Sequence, residues 1–331
     1  MEMAKFNIGR LSLIMLFYGV SSNVFSAPVE YIANGDFETG DFSGWNITDS
    51  GSGAWVINDG TFDPTGPGEP LPPISGTYDI VSHQGGPGLH IATQPISLPT
   101  AIKSATLSWA DRIRSYAEFS DPNQEWRVLV EDTNGNLLQE VFSTNPGDPT
   151  QQIGPNNRSF DLTALLQTYQ GQQVVISFEE QDDQLYFNAT LDDVSLEITQ
   201  LTLSCVGGGF EPPFSDPIVI FGKKNMAIPV KFKLIDADGV EYTFDDIAPP
   251  VVNISYSPLV AGPTIDVTDD LLPLGNANDD NIFRWDVDGQ KWIYNLGTKP
   301  YKSLGTYTVS VAPGSSDYTV DSSCEQIFER Q

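Results

Sequence analysis

Asn34-Gly35-Asp36-Phe37-Glu38-Thr39-Gly40-Asp41-Phe42-Ser43-Gly44-Trp45 is the stretch on which the fold turns, and Leu191-Asp192-Asp193-Val194-Ser195-Leu196 answers it roughly one domain later. The first is an acidic, glycine-rich run ending on aromatics, and the second sets two carboxylates inside an apolar strand. They read as the first and last strands of one β-sandwich, held together by carboxylates around a cation. The bland alternative is that Asp36 and Asp192 only shape turns.

Working outward, the surrounding sequence is rich in turns. The 331 residues include 29 glycines and 24 prolines, with 11% aromatics and 40% apolar residues. That combination points to an all-β protein of about two domains with packed cores. With 44 acidic against 16 basic residues the net charge is −28. Such a surface repels nucleic acid and anionic membranes, and both are set aside as partners. Residues 1–27 read as a signal peptide: Lys5 and Arg10 precede an apolar run over 11–20, and Ser26 and Ala27 offer small residues for cleavage. The expected address is secreted, periplasmic or cell-surface, with no membrane insertion after cleavage. Cys205 and Cys324 fit it, because in an oxidising compartment they close a disulfide around a long loop.

In the first half, alternation marks Thr106-Leu107-Ser108-Trp109, Trp126-Arg127-Val128-Leu129-Val130 and Val174-Val175-Ile176-Ser177-Phe178 as strands. Residues 162–169 are the one short helical candidate, and 59–76 and 84–88 are surface loops. Period-two bookkeeping puts Leu107, Trp109, Trp126, Val128, Ile176 and Phe178 on core faces. It then collects Arg112, Arg114, Glu125, Arg127 and Glu179 on one outward sheet face, with Tyr116 in the adjoining loop. That face is a candidate polyol-binding groove, and a ladder of solvated cross-strand ion pairs is the competing reading. Trp55, near a loop end, is the candidate exposed aromatic. His83 and His90 have no metal or catalytic spacing and read as turn and strand residues.

The two end motifs resemble those of galactose-binding-domain-like jelly rolls, which include carbohydrate-binding modules of the family 4, 9 and 22 type. The likeness covers about residues 31–198. It implies a structural Ca2+ with Glu38 and Asp193 as side-chain ligands and Asp36 and the backbone near Thr39 as helpers. Calcium takes roughly six to eight oxygens, so adjoining strand-end carboxylates suit it. The fold markers are specific, but modules with quite different ligands share them.

After a linker at 200–214, short strands at 218–221, 228–234, 241–244, 251–256, 282–286, 291–296, 306–311 and 318–320 predict a second β-sandwich over 215–331. Asp238-Gly239 and Asp288-Gly289 read as hairpin turns. Pro229-Val230-Lys231-Phe232, with the later Phe283-Arg284-Trp285-Asp286 and Gly305-Thr306-Tyr307-Thr308-Val309, resembles small immunoglobulin-like modules of secreted bacterial proteins. No nucleophile elbow, phosphate loop or dinucleotide fingerprint occurs. The expectation is a non-catalytic, calcium-stabilised, secreted protein that binds a polysaccharide or glycan. Its rival is a structural or adhesion component that meets envelope or matrix proteins.

Overall fold

The structure is a computed structural model that describes residues 27–64, 70–260, 262–271 and 280–331. The expected signal peptide, but for Ala27, lies outside the described residues. Among them, no helix is long and apolar enough to cross a membrane.

The first half builds two facing sheets from β1 (Val29–Glu30), β2 (Asn46–Gly51), β3 (Ala54–Asn58), β4 (Asp79–His83), β5 (Gly88–Ser97), β6 (Ile102–Ser115), β7 (Glu125–Asp132), β8 (Leu137–Ser143), β9 (Gln151–Asp161), β10 (Gln173–Asp182) and β11 (Phe187–Gln200). One sheet runs β3-β4-β11-β6-β9, with β1 added to β11, and the other runs β2-β5-β10-β7-β8. Alternate residues of both sheets meet in one core that includes Leu107, Trp109, Trp126, Val128, Ile176 and Phe178. The all-β sandwich expectation holds. A single helical turn, α1 (Thr163–Thr168), sits where one was expected.

The second half has a separate apolar cluster that includes Phe214, Phe232, Trp292, Tyr307 and Phe328. Residues 200–214 are not a free linker. β12 (Thr202–Cys205) pairs with strands at Leu234–Ile235 and Thr319–Val320, and Phe210 and Phe214 are buried in the second cluster. The glycines and prolines that suggested a tether instead shape the entry to that core. Cys205 and Cys324 form the disulfide, with a sequence separation of 119.

Strand directions give the first sandwich two distinct ends. At one, the amide of Leu201 donates to Ala101 and the amide of Ala101 donates to Ser316 of the second half. At the other, β6 ends, β7 begins, β10 ends and β11 begins, so the 116–124 and 183–186 loops lie away from the second half.

Candidate functional site

β7 and β10 are antiparallel neighbours whose register sets Arg127 opposite Glu179, and β8 places Ser143 opposite Arg127. All point away from the core. Arg127 Nε and Nη2 donate to Glu179 Oε2 at 2.8 and 2.7 Å, and its Nη1 lies 3.7 Å from Glu125 Oε2. Ser177 Oγ donates to Glu179 Oε1 at 2.9 Å, and Ser143 Oγ donates to Glu125 Oε1 at 2.6 Å. The guanidinium is therefore held flat between two carboxylates, each fixed on its far side by a hydroxyl. Arg127 keeps 28% of its side-chain exposure, against 2% for Glu125 and 8% for Glu179. Glu125 Oε2 accepts no hydrogen bond, and burial pushes the Glu125 carboxyl above its ordinary value. The result is a rigid fork of donors and acceptors on a sheet face, which suits paired hydroxyls.

Arg112 and Arg114 are not part of that face. They face outward as alternation predicted, but from β6, which belongs to the other sheet. Arg112 donates to the carbonyls of Pro72 and Pro73 at 2.5 and 3.4 Å, which holds those two prolines against its own sheet. Arg114 is only 7% exposed. Trp55 is not an exposed aromatic either. It is 3% exposed, with its ring centroid 6.0 Å from that of Trp126. Tyr116 is where it was expected, 57% exposed in a loop, and it meets Tyr186 edge-on at 5.8 Å. That pair stands at the end away from the second half, where β7 delivers Glu125. Tyr186 lacked any signal in sequence, because the 183–186 turn has no periodicity.

Between the sheets at that same end lies a polar chain with no solvent exposure at its members His90, Gln84 and Glu180. His90 Nδ1 lies 2.7 Å from Asp49, and its Nε2 faces the Ser52 carbonyl and Gln84 Oε1 at 3.0 and 2.9 Å. Gln84 Nε2 donates to Glu180 Oε1, whereas Glu180 Oε2 has no partner. Burial raises the Glu180 carboxyl well above its ordinary 4.5, and burial raises Asp182 to about 6. These groups keep their protons in the fold after the unfolded chain has lost them. The unfolded state then binds fewer protons, so their stabilisation is complete below about pH 4.5 and is lost as pH rises through the folded values. Thermal melts are expected to fall from pH 5 to pH 8, and Glu180→Gln is expected to raise the pH 8 melting temperature while changing the pH 5 value little. Equal shifts at both pH values would rule this out.

The two acidic end motifs converge on one loop. Glu38 Oε1 accepts from the amides of Thr77 and Tyr78 at 2.6 and 3.0 Å, while Ser75 Oγ donates to Asp193 at 3.1 Å and the Ser75 amide to Asp192 at 2.9 Å. Asp36 and Asp193 line one surface pocket with Glu30 and Asn34. The backbone hydrogen bonds hold Glu38 below its ordinary value, whereas burial lifts Asp192 to about 7 and Asp79 to about 6. Among the described residues, no three histidine, cysteine or acidic side chains gather on one point. Glu38 and Asp193 each keep a second carboxylate oxygen beside the 75–78 loop, and the Thr39 hydroxyl is spent on Asp41 at 2.8 Å. That donor chemistry fits a hard cation completed by backbone and water, and not a transition metal.

No protein-family model and no curated protein matches the chain. Among solved structures it is similar to the carbohydrate-binding module TmCBM61 in complex with β-1,4-galactotriose: 16% identity, 51% of this chain and 97% of that one, TM-score 0.35. The K3 cleaved adhesin domain of Lys-gingipain from Porphyromonas gingivalis W83 gives 18% identity over 51% and 98%, TM-score 0.33. Caldicellulosiruptor saccharolyticus CBM27-1 in complex with mannohexaose gives 14% over 51% and 95%, TM-score 0.31. At such scores the likeness carries no argument about what this chain binds.

Proposed function

We propose that this chain is an exported, non-catalytic carbohydrate-binding protein whose first sandwich reads an extracellular or cell-surface polysaccharide. The observation that carries the reading is the Glu125–Arg127–Glu179 fork. It is a preorganised set of planar donors and acceptors on a sheet face, with exposed Tyr116, backed by half-buried Tyr186, beyond its end to meet the apolar face of a sugar ring. The disulfide supports an oxidising address. On this reading Ca2+ would bridge Glu38 and Asp193 and so join the first and last segments of the sandwich. Its role is structural, because the fork lies on the other sheet.

A glycan array probed with the full chain is expected to show saturable binding to a restricted set of glycans, with Tyr116→Ala weakening it at an unchanged melting temperature. An array blank for every glycan at high protein concentration would end the proposal. For the cation, melts in EDTA and in millimolar calcium are expected to differ by several degrees, with the calcium sample higher. Superimposable melts would remove calcium from the account.

A further inference from the structure

The end of the first sandwich that lies away from the second half is closed by a turn that does not hold itself. Residues 183–186 join β10 to β11, and Leu185 sits among them at φ +54°, the left-handed region that a leucine keeps only when its surroundings impose it. Hydrogen bonds along the turn impose it. Asp182 Oδ1 accepts from the Gln184 amide at 2.6 Å, the Asp183 amide donates to Gln124 Oε1 at 3.3 Å, and the Tyr116 amide donates to the Tyr186 carbonyl at 2.8 Å. Gln124 is itself fixed, because its Nε2 donates to Ser115 Oγ at 2.8 Å. Tyr186, which backs the exposed Tyr116 ring, is thus carried by a turn rooted on one aspartate.

That aspartate is badly placed for a charge. Asp182 is 3% exposed, and its Oδ2 is buried without a hydrogen-bond partner, as is Oε2 of Glu180, two residues back on the same face of β10. The titratable groups facing the two carboxyls are Asp49 from β2, His90 from β5 and Asp183 in the turn. β6, β7 and β11 turn Ile113, Trp126, Phe187 and Ala189 into the same interior, and none of these can solvate an anion. Burial lifts Asp182 to about 6, against the opposing pull of the Gln184 amide. An ionised Asp182 regains water only by turning outward, and the end of β10 and the Gln184 contact turn with it.

We propose that Asp182 is a pH latch on this end of the sandwich: neutral, it keeps the 183–186 turn closed with Tyr186 behind Tyr116, and ionised, it releases both. The effect on binding rests on the reading of this end as part of a glycan site, whereas the motion of the turn does not. The open turn loses its proton near the ordinary aspartate value of 3.8 and the closed turn only at about 6. Closure is therefore fully favoured below the first value and weakens as pH rises through the second.

Hydrogen exchange on the full chain at pH 5 and pH 8, without glycan, reads the motion directly. Protection factors at Asp183, Gln184 and Tyr116 are expected to fall about tenfold at pH 8, while those of Ile176 and Phe178 in the middle of β10 hold. Asp182→Asn keeps an acceptor for Gln184 and loses the titration, so its protection should be equal at both pH values. Gln124→Ala, which removes the second anchor, should give low protection at both. In titration calorimetry the best array glycan should bind the wild type about fivefold more weakly at pH 8 than at pH 5, and should bind Asp182→Asn equally at both. Wild-type protection that does not change with pH, a fall that persists in Asp182→Asn, or full protection in Gln124→Ala would overturn the latch. So would a pH-dependent glycan Kd that Asp182→Asn leaves as it was. A blank array beside a turn that opens as described would remove the glycan reading alone and uphold the latch.

Discussion

Asp111→Ala is expected to destabilise the first sandwich by about 3–5 kcal/mol, the cost of removing one partner from a buried ion pair. Asp111 has no solvent exposure, although it sits in a strand whose neighbouring inward positions are Trp109 and Ile113. Arg158, on β9, reaches it with Nε at 2.5 Å and Nη2 at 3.0 Å. Asn156 donates at 2.8 Å, and the indoles of Trp109 and Trp126 at 2.9 and 3.4 Å. The guanidinium carbon lies 3.9 Å from the centroid of Phe142. Alanine would leave two indole N–H groups without their acceptor and the guanidinium with only Gln152 Oε1, at 3.2 Å, as a hydrogen-bond partner. The Asp111→Asn variant keeps an acceptor and loses the charge, so it should cost less than alanine. Denaturant unfolding followed by tryptophan fluorescence measures both. A loss under about 1 kcal/mol for Asp111→Ala would show that the pair is dispensable to the core.

Reducing the Cys205–Cys324 bond, or replacing both residues by serine, is expected to cost the second sandwich about 4–5 kcal/mol in the chain-entropy model. The closed loop spans a sequence separation of 119, nearly the whole second cluster. Both cysteines are buried, at 3% and 0% exposure, so serine adds two hydroxyls to an apolar site. Because the bond ties β12 to the chain just before the last strand, Glu325–Arg330, the loss should be confined to this half. Calorimetry with and without reductant is expected to lower the transition that reports on Trp285 and Trp292, and to leave the one that reports on Trp109 and Trp126 in place. A reduced protein that melts unchanged would mean that packing alone holds the second core.

How far the sequence spoke for itself differs from residue to residue. Alternation placed Trp109 and Trp126 inside and Arg127 and Glu179 outside correctly, since side-chain direction in a strand has a period of two. The same rule is silent on which of two facing sheets a strand joins. That is why alternation alone gathers Arg112 and Glu125, both outward, on one face, although they stand on opposite sides of the sandwich. Only long-range pairing decides that, and β6 pairs with β9 and β11, not with β7. β9 gives no alternating strand signal in the sequence, because Gly154-Pro155 interrupts the run. It is tolerated at the edge of its sheet, where a proline need not donate to a neighbour. Trp55 lies between Gly51-Ser52-Gly53 and a proline-rich run, so its five-residue strand looked like loop. Glu180 was readable in principle: if Glu179 faces out, its neighbour faces in. The hydrogen-bonded chain from Asp49 through His90 and Gln84 that receives it joins three strands, and no local pattern announces it.

The two arginines on opposite sheets give the sharpest comparison. Isothermal titration of the best array glycan against the wild type, Arg127→Ala and Arg112→Ala puts the assignment of the binding face to a direct trial. Arg127→Ala is expected to abolish binding with its fold retained, and Arg112→Ala, which only releases the Pro72 and Pro73 carbonyls, to bind with the wild-type Kd. Wild-type affinity in Arg127→Ala, or loss of binding in Arg112→Ala alone, would place the ligand on the other sheet and contradict the account.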